Sequence, residues 1–269
     1  CTAIDDLVAE LPVLTESSTK VLSVSGPKTE VDRIRSVVAR AEVNQQLEKT
    51  TSFDADILLL DSEGNTIDAS RMQLGFKSAE IMVNVSMIRT LPVRAVFNGK
   101  PADLDLSYSL SEQEIAVIGT PDVVKAMTEV DLEPIECGHI TSDHNVFERS
   151  ASLPSGVRLY DNNAASTVTV TVDTGSYITK TIKINTVTFT GLASGMKATL
   201  QNAQSVTVMG TRSEVNAMTA SDVIVTVDVT GKSAGSGQQE NAEVTLAEKR
   251  THSWVVTYNK SYQVTFTLS

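Results

Sequence analysis

The chemically reactive side chains of this sequence are concentrated between Glu136 and His144. The segment reads Glu-Cys-Gly-His-Ile-Thr-Ser-Asp-His and includes one of the two cysteines and two of the three histidines of the chain. Thiolate and imidazole groups bind zinc, and a cysteine that lies beside a histidine can act as a nucleophile. These residues therefore raise two hypotheses, a metal site and an enzyme that uses Cys137 and His139.

The spacing of these side chains favours a simpler interpretation. Cys-x-His-x-x-x-x-His is not a standard ligand spacing for zinc, and the metalloprotease motif His-Glu-x-x-His does not occur in the chain. The segment also has no counterpart elsewhere in the sequence. We therefore predict that Glu136–His144 is an exposed connecting loop. We further predict that the chain is not an enzyme and has no catalytic, cofactor-binding or metal-binding residues.

Asp61–Asp68 is an acidic segment that superficially resembles a calcium loop. It reads Asp-Ser-Glu-Gly-Asn-Thr-Ile-Asp, with Gly64 at the fourth position, whereas the glycine of an EF-hand loop is at the sixth. Glycine and asparagine side by side are typical of a tight turn between antiparallel strands. The sequence therefore predicts a hairpin turn here and not a calcium site.

Gly231–Gly237 is rich in glycine and reads Gly-Lys-Ser-Ala-Gly-Ser-Gly. A phosphate-binding loop leads directly into a helix, and no helical pattern follows this segment. Glycine and serine together are typical of flexible chain. We therefore predict a flexible loop.

The composition describes an acidic, folded chain with few aromatic residues. Of 269 residues, 41% are hydrophobic and 4% are aromatic, and the formal net charge is -11. This length and composition predict one to three domains with aliphatic cores. Because an acidic surface repels phosphate groups, we expect no nucleic-acid partner. No window approaches the roughly 18 uninterrupted apolar residues of a membrane helix, so either the protein is cytosolic or its targeting segment is absent from this sequence.

The elements that position these segments follow an internal repeat. The pattern Val-x-Gly-x-x-x-x-Val recurs at intervals of about 90 residues, at Val24–Val31, Val117–Val124 and Val208–Val215. Before each glycine, apolar and polar residues alternate as in a strand, and after it the pattern is typical of a short helix. Thr120 and Ser213 are the predicted N-caps of two of these helices. Each repeat thus predicts a strand, a corner and a helix.

Three sets of ranges complete this prediction. The strands before the glycines are Lys20–Val24, Glu114–Ile118 and Ser205–Met209. The helices carry apolar stripes at Val31, Ile34, Val37 and Val38, and at Val123, Met127 and Val130. The strands after the helices are Ala41–Val43, Val130–Leu132 and Ile224–Val229.

Each repeat closes on a strand in which apolar and polar residues alternate with a period of two. These strands are Ala79–Val85, Thr167–Val172 and Tyr262–Leu268. The second and third repeats also open alike, because Arg94–Gly99 matches Thr186–Gly191. The first repeat lacks a match to the opening strand Met87–Val93, so we expect the chain to begin inside its first domain.

The repeats define the predicted architecture. We place the domain boundaries at residues 1–86, 87–175 and 176–269. The predicted fold class is mainly β, a β-rich α+β fold in which each small domain has mixed or antiparallel strands and one short helix. Because few residues separate the closing strand of one repeat from the opening strand of the next, we expect an elongated arrangement.

The three repeats resemble tandem YbbR-like domains. Four motifs besides the recurring glycine pattern resemble those of the family, and the resemblance extends over nearly the whole chain. They are Val130-Asp131-Leu132, Val227-Asp228-Val229-Thr230-Gly231, Leu153-Pro154-Ser155-Gly156-Val157 and the hairpin sequence Ile57–Ile67.

This resemblance implies a bacterial protein that is anchored by an N-terminal membrane helix, with its YbbR-like units on the extracytoplasmic face. The role that it implies is regulation, through protein contacts, of a membrane-bound diadenylate cyclase, the enzyme that makes cyclic di-AMP. The membrane contact would be made only by the N-terminal helix, which is absent from this sequence.

Two alternatives to an interaction module remain open. A cell-surface adhesion or carbohydrate-binding array would carry exposed aromatic side chains in each repeat, and Trp254, Tyr258 and Tyr262 lie close together in the third repeat only. The other alternative is the enzyme that uses Cys137 and His139. Metal analysis and an activity screen distinguish that alternative from the others.

Overall fold

The computed structural model describes residues 6–15, 21–160 and 167–269, and most of the ordered structure is short β-strands. The mainly β fold class predicted from the sequence is confirmed. Lys20, the first residue of the strand predicted at Lys20–Val24, lies outside the described residues, as does the other cysteine, Cys1. None of the described helices has the length or apolar character needed to cross a membrane.

The helices are few and short. They are α1 (Lys28–Val31), α2 (Pro121–Ala126) and α3 (Arg212–Ala217), with 3₁₀ turns at Cys137–His139 and Ala220–Asp222. The strands, in chain order, are β1 (Leu7–Ala9), β2 (Val13–Leu14), β3 (Val24–Ser25), β4 (Ser36–Arg40), β5 (Thr51–Leu60), β6 (Gln73–Leu74), β7 (Ser78–Val83), β8 (Val85–Arg94), β9 (Phe97–Asn98), β10 (Tyr108–Leu110), β11 (Glu114–Gly119), β12 (Val130–Asp131), β13 (Ile135–Glu136), β14 (Val146–Ser150), β15 (Val157–Leu159), β16 (Thr167–Val172), β17 (Tyr177–Ile184), β18 (Thr188–Thr190), β19 (Ala198–Leu200), β20 (Gln204–Thr211), β21 (Val223–Asp228), β22 (Gly235–Asn241), β23 (Glu243–Leu246), β24 (Ser253–Val255) and β25 (Gln263–Leu268).

The chain divides into two compact bodies. The first body comprises Cys1–Pro92, Glu114–Val130 and Leu153–Ala164. Its sheets have the strand orders β1-β8-β11-β15, β2-β7-β5-β4 and β3-β6. Its buried apolar residues form small clusters, one around Leu59 and Ile67 and another around Leu47 and Val83.

The second body comprises Val93–Gln113, Asp131–Ser152 and Ala165–Ser269. Its sheets have the strand orders β17-β20-β24, β18-β21-β23, β19-β25-β22, β10-β16-β14 and β13-β9. One of its cores is a cluster made mostly of valine, isoleucine and leucine side chains with Phe266 among them. This aliphatic core is the one that the low aromatic content predicted.

The recurring glycine lies at the corner between a strand and a helix, as predicted. Gly119 ends β11 two residues before α2 begins, and Gly210 is the next-to-last residue of β20, two residues before α3 begins. In each case the glycine is paired with a residue of a neighbouring antiparallel strand, Val157 for Gly119 and Ser253 for Gly210. Because glycine has no side chain, the two backbones can approach closely at this corner.

The predicted apolar stripe of the first helix is wrong. Helix α1 ends at Val31, and Val37 and Val38 lie in the strand β4, which pairs with β5. The strand predicted at Ala41–Val43 therefore occurs earlier in the chain, at Ser36–Arg40. A four-residue helix has too few internal hydrogen bonds to be stable alone, so the pairing with β5 determines where the helix gives way to a strand.

One predicted helix cap is also wrong. Thr120 is the N-cap of α2, as expected, but the N-cap of α3 is Thr211 and not Ser213. The extended strand β20 continues to Thr211, and the helix then begins at Arg212. Ser213 therefore lies within the first turn of the helix, where its backbone is already helical.

The closing strands predicted from period-two alternation are confirmed. The alternating residues Thr167–Val172 form β16, and β25 and β7 cover most of the other two predicted ranges. In β16 and β25, buried residues alternate with more exposed ones, as a strand with one face on a core requires.

The matching segments at the start of the second and third repeats have the same pairing. The short strand β9 pairs in parallel with β13, and β18 pairs in parallel with β21. Each is followed by a glycine with positive φ, Gly99 at 65° and Gly191 at 72°. The domain boundaries at residues 1–86, 87–175 and 176–269 stay a prediction, because they mark sequence repeats rather than compact bodies.

Candidate functional site

The Cys137 segment is not the exposed loop that the sequence predicts. Cys137 lies in a 3₁₀ turn that follows β13, and the side chains of Ile135, Cys137 and Ile140 are 0% exposed. A bridge between Thr141 and His144 then closes a turn that leads to β14. The 3₁₀ turn contacts β24, and the carbonyl oxygen of Ile140 binds Trp254, so this segment meets the C-terminal part of the second body, which sequence spacing could not indicate.

Burial makes the Cys137 thiol chemically inert. Removal from water raises its pKa to about 12, so the thiol is protonated at neutral pH. The thiolate is the nucleophilic form of cysteine, and reactive cysteines are partly exposed with lowered pKa values. The environment of Cys137 therefore argues against the enzyme hypothesis.

The two histidines of the segment make aromatic contacts. The ring of His144 stacks on that of Tyr258, with 3.6 Å between the centroids and 14° between the planes. The edge of Phe147 meets the same ring at 4.8 Å. Nδ1–H of His144 donates a hydrogen bond to the carbonyl oxygen of His139 at 2.9 Å, which determines the tautomer because a carbonyl only accepts.

Trp254 and Tyr258 of the third repeat contact this segment, whereas Tyr262 packs against the core of the third repeat. Trp254 is 3% exposed, and its Nε1–H donates to the carbonyl oxygen of Ile140 at 3.2 Å. Tyr262 donates its hydroxyl hydrogen to the carbonyl oxygen of Val256 at 2.5 Å. Sequence spacing placed these aromatic residues close together, but it did not show that Trp254 is inside the protein.

No group of three or more His, Cys, Asp or Glu side chains is arranged to hold a metal ion within the part of the chain that the structure describes. The absence of stoichiometric zinc or calcium stays a prediction.

We expect elemental analysis of the purified protein to find less than one equivalent of either metal. The histidine rings are engaged with Tyr258 and with a backbone carbonyl, and the thiol is buried and protonated. One equivalent of zinc that disappears in the His139→Ala, His144→Ala double variant would contradict this expectation and restore the metal-site hypothesis.

The predicted turn at Asp61–Asp68 is confirmed. Gly64 has a φ of 83°, and Leu60 and Thr66 form an antiparallel bridge. Oδ1 of Asp61 accepts hydrogen bonds from the backbone N–H groups of Glu63 and Asn65, both at 2.9 Å. The bond from Asn65 is the main cause that lowers the pKa of Asp61. This carboxylate therefore stabilises the turn itself.

The glycine-rich segment is only partly a loop. Residues from Gly235 onward belong to β22, which pairs with β25 through a bulge between Gly235 and Gln238. The segment Gly231–Gly235 also has the spacing Gly-x-Ser-x-Gly of a nucleophile elbow. Ser233, however, lies in a loop between two strands, whereas a nucleophile elbow requires a turn from a strand into a helix.

A buried cluster of charged side chains, which the sequence patterns above do not predict, surrounds Asp222, which is 1% exposed. Its carboxylate is bound by Arg250 at 2.8 Å and by Lys249 at 2.7 Å. The backbone N–H of Thr219 also donates to it, at 2.9 Å. These groups, Arg250 first, hold the pKa of Asp222 well below its usual range. The sequence Thr-x-x-Asp was a usable signal, because it is typical of a capping box.

A second missed contact involves Glu214, in the first turn of α3. Its Oε2 accepts hydrogen bonds from Ser253 Oγ at 2.7 Å and from the backbone N–H of His252 at 3.2 Å. Serine, histidine and an acid are the residue types of a catalytic triad. In a triad, however, the histidine lies between the serine and the acid, whereas here the serine donates directly to the acid. The contact joins β24 to the start of α3.

Comparisons with known proteins give one similarity. No protein-family model and no curated protein matches this sequence. Among solved structures, the chain is similar to the crystal structure of a YbbR-like protein from Streptococcus pneumoniae TIGR4, at 11% sequence identity and a TM-score of 0.28. The similarity covers 68% of this chain and 96% of that chain.

Proposed function

We propose that this protein is a non-catalytic interaction module that regulates a membrane-bound diadenylate cyclase through protein contacts. It would work on the extracytoplasmic face of a bacterial membrane, anchored by an N-terminal helix. The recurring Val-x-Gly-x-x-x-x-Val pattern carries this proposal. It supplies the resemblance to YbbR-like domains from which the partner and the compartment are taken.

The positions of the motif residues support a structural role for this pattern. Gly119 and Gly210 allow close approach of neighbouring strands at equivalent corners. Val124 and Val215, at the end of the motif, are both 0% exposed. A motif that builds a corner and a core leaves the surface free to vary, which is the property expected of an interaction scaffold.

The reactive groups support the absence of catalysis. The Cys137 thiol is buried and protonated, Asp222 is paired with two cations, and the Glu214 carboxylate is bound by Ser253 and the backbone of His252. Each of these groups already stabilises the fold. Contact surfaces, by contrast, are available at sheet ends, where β4 carries Val37 and Val38 at 44% and 38% exposed.

The aromatic residues of the third repeat do not support the adhesion alternative. Stacking on a sugar needs an aromatic face that is open to solvent, and Trp254 is 3% exposed. The ring of Tyr258 is stacked against His144. No specific observation favours this second function.

The test is co-expression of the full-length anchored protein with the cyclase encoded beside it, followed by measurement of cellular cyclic di-AMP. We expect the nucleotide level to change with the anchored protein. We expect little effect from residues 1–269 alone, because the coupling to an intracellular catalytic domain would pass through membrane segments. The Cys137→Ala variant of the anchored protein should retain the effect, because a buried protonated thiol takes no part in it.

The cyclase expressed alone provides the baseline. An unchanged nucleotide level with the anchored protein, together with failure of the two proteins to co-purify, would refute the proposal. Loss of the effect in a folded Cys137→Ala variant would support the enzyme hypothesis instead.

A further inference from the structure

Two parts of the second body that are distant in sequence meet at an unusual set of contacts. Residues 137–144 lie against residues 254–258, and we call this contact the clasp. It contains Trp254, the one tryptophan of the chain, and Cys137, the cysteine that the structure describes. Neither residue contributes to the function proposed above, so the clasp requires its own explanation.

The polar part of the clasp consists of hydrogen bonds to two backbone carbonyls. The carbonyl oxygen of Gly138 accepts from the backbone N–H groups of Thr257 at 2.7 Å and Tyr258 at 3.2 Å. The carbonyl oxygen of Ile140 accepts from the indole N–H of Trp254. All three donors come from one segment and both acceptors from the other, so three hydrogen bonds join the two segments.

The aromatic part of the clasp lies beside these bonds. Tyr258 stacks on His144, while the ring of Trp254 meets the edge of Tyr177 with 5.3 Å between centroids. Offset-stacked and edge-to-face arrangements are the favoured geometries of aromatic pairs. In this contact the indole of Trp254 is buried and the ring of Tyr258 lies over His144.

Gly138 is the closest point of approach. A β-carbon at this position would lie 2.5 Å from Oγ1 of Thr257 and 3.0 Å from the carbonyl oxygen of Val255. Gly138 does not have a positive φ, so the backbone itself would accept alanine. A single methyl group at residue 138 would therefore push against Thr257 and Val255, and would not strain the backbone at residue 138 itself.

We propose that the clasp is a closing device that holds residues 131–152 against the C-terminal strands and shields the Cys137 thiol. In the closed state, Trp254 and Cys137 are buried together. In the open state, both become accessible to solvent, while the sheets on either side persist. The clasp therefore determines whether this part of the chain is rigid or hinged, independently of any cyclase.

The test uses Gly138→Ala in the soluble chain with two local readouts. We expect Cys137 to react about tenfold faster or more with a thiol reagent, because local opening becomes easier. Peptide mass spectrometry separates its labelling from that of Cys1. We also expect the emission of Trp254 to shift to longer wavelength, while the far-UV circular dichroism stays that of the parent protein.

A matched control and a rescue variant make the test specific. Gly75→Ala places a β-carbon at ordinary distances, the nearest neighbour being Cβ of Ser23 at 3.5 Å, and should change neither readout. Adding Thr257→Ala to Gly138→Ala removes the side chain that the new methyl group meets. This double variant should return the labelling rate toward that of the parent protein.

A second pair of variants covers the case in which Gly138→Ala does not fold. Tyr258→Ala removes the ring that stacks on His144 and should also accelerate the labelling of Cys137. Tyr160→Ala removes an exposed tyrosine of the first body and should not. Unchanged labelling in folded Gly138→Ala or Tyr258→Ala protein would overturn the proposal, as would failure of Thr257→Ala to reverse the effect.

Discussion

Gly210→Ala is expected to lower the free energy of unfolding by about 3 kcal/mol, the upper part of the range for overpacking a tight contact. The new β-carbon would lie 2.6 Å from the carbonyl oxygen of His252 and 2.6 Å from Cα of Ser253. Both are backbone atoms of a paired strand, so relief requires β24 to move away from β20. Urea unfolding followed by the fluorescence of Trp254, which lies in β24, measures the change directly.

Alanine substitution of the three repeat glycines should lower the free energy of unfolding by amounts that follow how closely backbone atoms approach each glycine. Gly119→Ala should be as costly as Gly210→Ala, because its β-carbon would lie 2.8 Å from Cα of Val157. Gly26→Ala should cost about 1 kcal/mol, because its nearest neighbour is the movable Cγ of Met72 at 3.0 Å. Amide hydrogen exchange of each body provides the measurement for the two variants of the first body.

Gly75→Ala is the control for this series and should be neutral or stabilising by about 0.5 kcal/mol, because alanine restricts the unfolded chain. Equal costs for Gly26→Ala and Gly210→Ala would show that loss of glycine flexibility, and not the close approach of backbones, determines the effect.

Asp222→Asn is expected to destabilise the protein by about 3 kcal/mol, the usual cost of leaving a buried ion pair without one partner. Arg250, whose side chain is 13% exposed, would keep its charge in a poorly solvated position. Lys249→Met should cost less than about 1 kcal/mol, because the Lys249 side chain is 67% exposed and remains solvated. Thermal and urea unfolding of the two variants measure the difference.

The ion pair of Asp222 and Arg250 predicts that the free energy of unfolding depends on pH. The pKa of Asp222 is lowered in the folded state, mainly by Arg250, so the unfolded chain binds the proton more tightly. Its contribution to stability is therefore fully present above the unfolded pKa of about 3.9 and is lost as pH falls toward the lowered folded pKa. The stability difference between the parent protein and Asp222→Asn should shrink below about pH 4. A difference that stays constant down to pH 2–3, with both proteins folded, would contradict the role assigned to the ionised carboxylate.

Local sequence patterns predicted the features that depend on neighbours along the chain. The alternation in Thr167–Val172 identified β16, because a strand with one buried face needs a period of two. The recurring glycine identified the corners at Gly119 and Gly210, because few other residues allow that approach. The turn at Asp61–Asp68 followed from Asp, Gly and Asn alone, and its hydrogen bonds are formed within the segment.

The sequence could not predict features that depend on distant partners. The length of α1 was misjudged because the apolar spacing of Val31 to Val38 fits a helix, whereas pairing with β5 made the later residues a strand. The partners of Asp222 were missed because Lys249 and Arg250 reach it from a separate part of the chain. Neither interaction leaves a periodic signal in the sequence.

The Cys137 segment shows most clearly the difference between what local sequence predicts and what distant partners determine. The sequence by itself determined that its cysteine and histidines do not have the spacing of a zinc site, because ligand geometry restricts the allowed intervals. Only the tertiary structure decided that Cys137 and Ile140 lie inside the protein and that the segment contacts Trp254 and Tyr258, more than a hundred residues later. The hydrophobic effect and hydrogen bonding act between whichever groups the fold brings together, so the same residues would be a loop without that partner.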